Sequence, residues 1–112
     1  MEDYVVKNII ESENVWHFLD GSTRSAERLS SAFVGIGTYK PGWRWSTHVG
    51  AQSGNKSEHH VGYVIEGRLT IRSESGIETL VSPGEAFELC AGHDAWVEGE
   101  ETCIALDFGI LP

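Results

Sequence analysis

No stretch of this chain runs far without a turn-forming residue, and that excludes a helical fold. Thirteen glycines and three prolines cut it into short segments such as SAFVGIGTY, WRWSTH, HVGYVIE, RLTIRSE, IETLVS, EAFELC, DAWVEG and TCIALDF. They are rich in Val, Ile, Thr and aromatic residues, and many alternate apolar with polar, the period of a half-buried strand. RLTIRS is the cleanest, with Leu69 and Ile71 on one face and Arg68, Thr70 and Arg72 on the other. Glu74-Ser75-Gly76 reads as a hairpin turn, and Pro83-Gly84 and the run from Glu98 to Glu101 as two more. Short strands at this spacing predict an all-β sandwich or small barrel. The one candidate helix is Ser22 to Ser30, STRSAERLS, which reads equally well as a loop. Val49 to Ser57 is the one long polar loop, between two histidine-bearing segments, where loops tend to carry function.

At 112 residues the chain is a single domain, and its 40% apolar content supplies a core. Eight Lys and Arg against seventeen Asp and Glu give a net charge of −9. That balance repels a phosphate backbone and an anionic membrane surface, so neither nucleic acid nor membrane is an expected partner. No apolar stretch is long enough to cross a bilayer, and MEDYVVKNII does not read as a signal peptide. Cys90 and Cys103 lie in apolar runs and read as reduced core thiols rather than a disulfide framework. A cytoplasmic protein with a small-molecule ligand is the expectation.

Four of the five histidines fall in three places: His48, the pair His59-His60, and His93. The fifth, His17, reads as a surface or packing residue. Gly42 is followed by five residues and His48; His60 is followed by six residues and Gly67; Gly84 is followed by EAFEL, then Cys90-Ala91-Gly92 and His93. With YVIEGRLTI and PGEAFEL, this skeleton resembles the two sequence motifs of the cupin superfamily, over roughly residues 32 to 109. The resemblance implies a double-stranded β-helix, the cupin jelly-roll barrel, with residues 1–31 forming N-terminal strands or an arm. It also implies a divalent metal in the barrel and pairing as a homodimer.

The sequence departs from the cupin pattern at the ligand positions. Gly50 stands where the second His of His-x-His is usual, His60 where Glu is usual, and Ala95 where the last His is usual. Strand alternation still puts His93 and Ala95 on one face, so His48, His60 and His93 are the expected ligands of one cation. His59 could join them if the strand begins only at Val61. Residue type leaves the metal open among Zn, Fe, Ni and Mn. Three neutral imidazoles leave the cation's full charge to its remaining ligand, which favours a small anion such as a carboxylate or enolate.

Trp43 and Trp45 share a face opposite His48, which predicts that they point out of the barrel into packing or a subunit interface. Asp94 reads as a turn residue or as a partner orienting His93. Tyr39 and Tyr63 flank the histidine segments and are the candidate ligand-binding side chains. Nucleophile-elbow, P-loop, dinucleotide-binding and CxxC patterns are all missing from the sequence. The expectation is therefore a small metal-binding cupin with an anionic ligand. A metal-dependent enzyme of dioxygenase or isomerase type and a metal-free sensor module are the alternatives.

Overall fold

A strand with apolar residues at every second position hides them only by packing one sheet face on another. The structure, a computed structural model, describes residues 3–54 and 59–110. The strands are β1 (Val15–His17), β2 (Thr23–Arg28), β3 (Ala32–Tyr39), β4 (His60–Glu66), β5 (Arg68–Arg72), β6 (Glu78–Val81), β7 (Ala86–Leu89), β8 (Asp94–Glu98) and β9 (Cys103–Ile110). They form a six-stranded antiparallel sheet in the order β1-β2-β3-β9-β4-β7 and a three-stranded sheet in the order β6-β5-β8. No helix among the described residues is long and apolar enough to cross a membrane.

The core lies between the sheets. Val64, Cys103 and Ala105 come from the larger one, and Leu69, Ile71, Val81, Ala95 and Val97 from the smaller. Val64 is wholly buried, and burying a side chain of its size stabilises the fold by about 1.5–3 kcal/mol. Leu69 and Ile71 face inward as the alternation predicts. Thr70 between them points away, and its hydroxyl donates to Glu98 at 2.8 Å, which also accepts the Trp96 indole N–H at 2.8 Å.

Three expectations are corrected. Ser22–Ser30 is neither helix nor loop: β2 occupies most of it, paired with β1 on one side and β3 on the other. Ladder hydrogen bonds along both edges outweigh a weak helical preference. Cys90 is exposed, and only Cys103 is a core thiol, its pKa pushed up to about 11 by burial.

The third correction concerns WRWSTH, which is not a strand. Arg44 makes a single bridge to Trp96, and the chain then curls into a π-helical turn, Ser46–Gly50, and a short helix α1, Ala51–Ser53. Asp94 sets the curl. Its carboxylate accepts the backbone N–H of Ser46 at 2.9 Å, the Ser46 hydroxyl at 2.8 Å and Arg44 Nε at 2.8 Å. Gly50 permits it, because any Cβ there would run into the Trp45 ring. The polar loop thus begins inside a helical turn, while residues 55–57 lie outside the described residues. With strand alternation gone, Trp43 does not point outward. It is 4% exposed in the core, its ring 4.2 Å from that of Tyr39, and Trp45 packs against the same core.

Candidate functional site

His60 opens β4 opposite Leu89 of β7. Alternation places it on the face of Gly62 and Val64, toward the barrel interior. His93 comes from the turn before β8. Gly92, at φ +84°, reverses the chain there in a conformation that side-chain-bearing residues avoid. The reversal brings His93 Nδ1 back to the Cys90 carbonyl at 2.8 Å. A carbonyl only accepts, so Nδ1 carries the proton and Nε2 is the lone-pair nitrogen.

The His60 and His93 rings are 5.1 Å apart between centroids, inclined at 56°. The Phe87 ring meets His60 edge-on at 6.2 Å. His93 is only 6% exposed. Burial holds its pKa below the usual histidine value; the nearby His60 adds to this, while the Cys90 carbonyl and Asp94 work the other way. The pair therefore favours a neutral His93, the form that offers a lone pair to a cation or to a donor on a ligand.

His48 does not stand with them. Its Nδ1 accepts the Arg44 backbone N–H at 3.0 Å and lies 3.2 Å from the Arg44 carbonyl, so the ring closes its own helical turn. His59 turns to the outer surface, with Nε2 2.9 Å from Glu88 Oε2. Among the described residues no group of three or more His, Cys, Asp or Glu is placed to hold a metal ion. Asp94 serves Arg44 and Ser46 rather than the His93 ring. Burial opposes its charge, but the hydrogen bonds from Ser46 and Arg44 together hold its pKa below the usual carboxylate value.

The two tyrosines also lie apart from the pair. Tyr39 is stacked between Phe18 and Trp43, opposite Cys103. His60 sits near the Phe108 end of β9, roughly 20 Å away along the strand at 3.3 Å per residue. Burial, reinforced by Asp107, raises the Tyr39 pKa. Tyr63 is on the outer face of the sheet, 37% exposed.

One feature of the interior was not foreseen. Arg24 grips Asp107 through Nε at 3.1 Å and Nη2 at 2.7 Å, and its guanidinium lies 5.5 Å from the Trp16 ring and 6.0 Å from the Phe33 ring. Burial alone would lower the Arg24 pKa, yet the hydrogen bond and charge of Asp107 raise it. Asp107 neighbours Gly62 in register, so this ion pair shares the inner face with His60. The signal was present: in CIALDF, Asp107 is in phase with the core residues Cys103 and Ala105.

Solved structures share this architecture. An RmlC-like cupin from Shewanella frigidimarina superposes with a TM-score of 0.64 at 15% identity, over 98% of this chain and 91% of its own. A cupin-superfamily sugar phosphate isomerase from Silicibacter pomeroyi gives 0.64 at 20% identity, over 84% of this chain. The fold is that of the cupins. This chain spans 62% of that isomerase, and 60% of a candidate sugar phosphate isomerase from Acidithiobacillus ferrooxidans that it matches at a TM-score of 0.59 and 20% identity over 80% of its own length. No protein-family profile matches the sequence, and no curated protein matches it significantly.

A cupin barrel implies a metal, and the donor chemistry fits one in part. His60 and His93 face each other as two imidazole ligands would, and the Nδ1–H bond to Cys90 is the outer support that fixes a ligating ring. The described side chains bring together two such ligands, not three.

Proposed function

We propose that this protein binds a small anionic molecule at the mouth of its barrel, on a divalent cation held by His60 and His93. The observation that carries this is the pair itself, two imidazoles 5.1 Å apart with the His93 lone pair directed to Nε2 by Cys90. Two neutral ligands leave the cation's charge and most of its coordination positions to the bound molecule, which favours a carboxylate, an enolate or a phosphate. A sugar phosphate, the substrate class named for the isomerase neighbours, has this chemistry. The cation would supply charge to polarise the ligand, while Cys90 and Phe87 hold the two rings in place.

A metal-free pocket is the second reading, favoured by the lack of a third ligating side chain among the described residues. Equilibrium dialysis against Zn, Mn, Ni and Fe(II), followed by elemental analysis, separates the two. One ion per chain is expected, with affinity falling roughly 10–100-fold in His60→Ala and in His93→Ala and little changed in His48→Ala. Equal loss in His48→Ala would restore the three-imidazole site. A wild type that takes up no ion, yet is stabilised by millimolar carboxylates or phosphate, would establish the metal-free pocket.

A further inference from the structure

The barrel interior holds polar groups that the histidine pair does not use. The Trp43 indole N–H is buried in the core and has no hydrogen-bond partner among the described residues. Leaving a buried donor without an acceptor is costly, and native interiors rarely keep one unless a ligand or a trapped water supplies the oxygen. The Trp43 ring lies 4.2 Å from that of Tyr39. Tyr39 in turn leans back along β3 over Gly37, where a Cβ would run into its hydroxyl. Register pairs Gly37 with Arg24, and Gly35 with Asp107. A Cβ at Gly35 would stand 2.6 Å from Arg24 Nη2 and 2.7 Å from Asp107 Oδ1. Two glycines at alternate positions of β3 thus make a floor on which the Tyr39 hydroxyl, the Arg24 guanidinium and the Asp107 carboxylate lie together.

The chemistry of this floor selects its occupant. Arg24 uses Nε and Nη2 on Asp107, which among the described residues leaves the Nη1 hydrogens as donors and further Asp107 lone pairs as acceptors. The two charges cancel, so a second anion here would stand unbalanced in a low-dielectric interior. Burial, reinforced by Asp107, raises the Tyr39 pKa and keeps its hydroxyl a donor. A neutral hydroxyl meets these demands at once, accepting from an N–H or O–H while donating to the carboxylate. The ion pair is not sealed off: its side chains are 24% and 18% exposed, so a solute can reach them. Asp107 pairs with Gly62, one inward-facing step, about 6.6 Å, from His60 along β4. That is the length of a short carbon chain.

We propose that Trp43, Tyr39, Arg24 and Asp107 form a subsite for the hydroxyl groups of a polyhydroxylated chain, with Trp43 donating to the ligand and Asp107 accepting from it. The proposal rests on the reading above for the anionic end of that chain, at His60 and His93, and narrows the ligand to a polyhydroxylated anion.

Indole proton–nitrogen spectra of the full chain with one equivalent of Zn test this, since each tryptophan gives its own signal. The Trp43 signal is assigned by its loss in Trp43→Phe or, should that variant fail to fold, by elimination with Trp16→Phe, Trp45→Phe and Trp96→Phe. The probes are gluconate, hexanoate as its hydroxyl-free counterpart, and erythritol, which carries hydroxyls alone. Gluconate and erythritol are expected to move the Trp43 indole proton downfield, as a new acceptor does, and hexanoate to leave it in place. Gluconate is expected to bind at least roughly tenfold more tightly than hexanoate. Trp43→Phe, or Tyr39→Phe in its place, is expected to remove most of that advantage while hexanoate binding stays unchanged. A Trp43 signal unmoved by gluconate and erythritol, or gluconate bound no better than hexanoate, overturns the subsite and leaves a trapped water as the indole's partner. Failure of the anionic end reads differently: hexanoate binding is then indifferent to His60→Ala, while erythritol still moves the Trp43 signal and the subsite stands.

Discussion

The two sheets turn very different faces to the outside. On the smaller sheet the potentially adhesive Trp96 lies beneath Arg44, whose guanidinium sits 4.6 Å from the ring, while Glu98 ties its indole N–H to Thr70. Arg68 and Arg72 flank this arrangement in register with Glu98 and Asp94. On the larger sheet the central outward positions are Val34, Ile36, Val61, Tyr63, Leu106 and Phe108. Both sheets are equally good at hiding their inner faces, so the core does not explain the difference. What separates them is the cation laid over the central tryptophan of the smaller sheet; on the larger sheet the charged groups, Glu27 beside Lys7 and Glu88 beside His59, stand only at the two ends of an apolar row.

The largest consequence is in how stability depends on protein concentration. If the apolar face is joined to a copy, a hundredfold rise in concentration stabilises the dimer by about 2.7 kcal/mol, and the thermal midpoint rises with it. Tyr63→Arg should remove that dependence, and calorimetry at two concentrations would show it. A smaller effect belongs to the covered face. Arg44→Ala loses the Asp94 contact and the cover over Trp96, both partly exposed, and should cost about 1 kcal/mol at every concentration. A concentration-dependent loss would erase the contrast between the faces.

The smallest effect is that of acid on the covered face. Hydrogen bonds from Thr70 and Trp96, with help from Arg68, hold the Glu98 pKa below the usual carboxylate value. A pKa lowered by folding contributes stability above the unfolded-state value and loses it as pH falls through the folded-state value. Thermal midpoints measured from about pH 6 to about pH 3 should therefore fall less steeply in Glu98→Gln than in the wild type. Parallel curves would mean that the carboxylate plays no part.

The strands were legible because alternation is a local property, and RLTIR and CIALDF carry their inward and outward faces in their order. The histidine site was legible only in part. WRWSTH alternates as well as any strand here, and what bends it is Asp94, 48 residues from Ser46 in sequence, through a bond that no local pattern announces. That bend turns the His48 ring onto its own helical turn, where Nδ1 accepts the Arg44 backbone N–H. The anchor of His93 was invisible for another reason: it is the Cys90 carbonyl, a backbone group that every residue type provides. Arg24 lay hidden because its segment was read as helix or loop, which gave it no face and no partner.

Asp94 is also the residue next to His93, and its three hydrogen bonds to Arg44 and Ser46 make it a clasp between distant parts of the chain. The turn bearing His48 cannot swing outward without opening that clasp or pulling on the backbone beside His93. A displacement of the Ser46–Gly50 turn therefore acts on the backbone beside His93 as well.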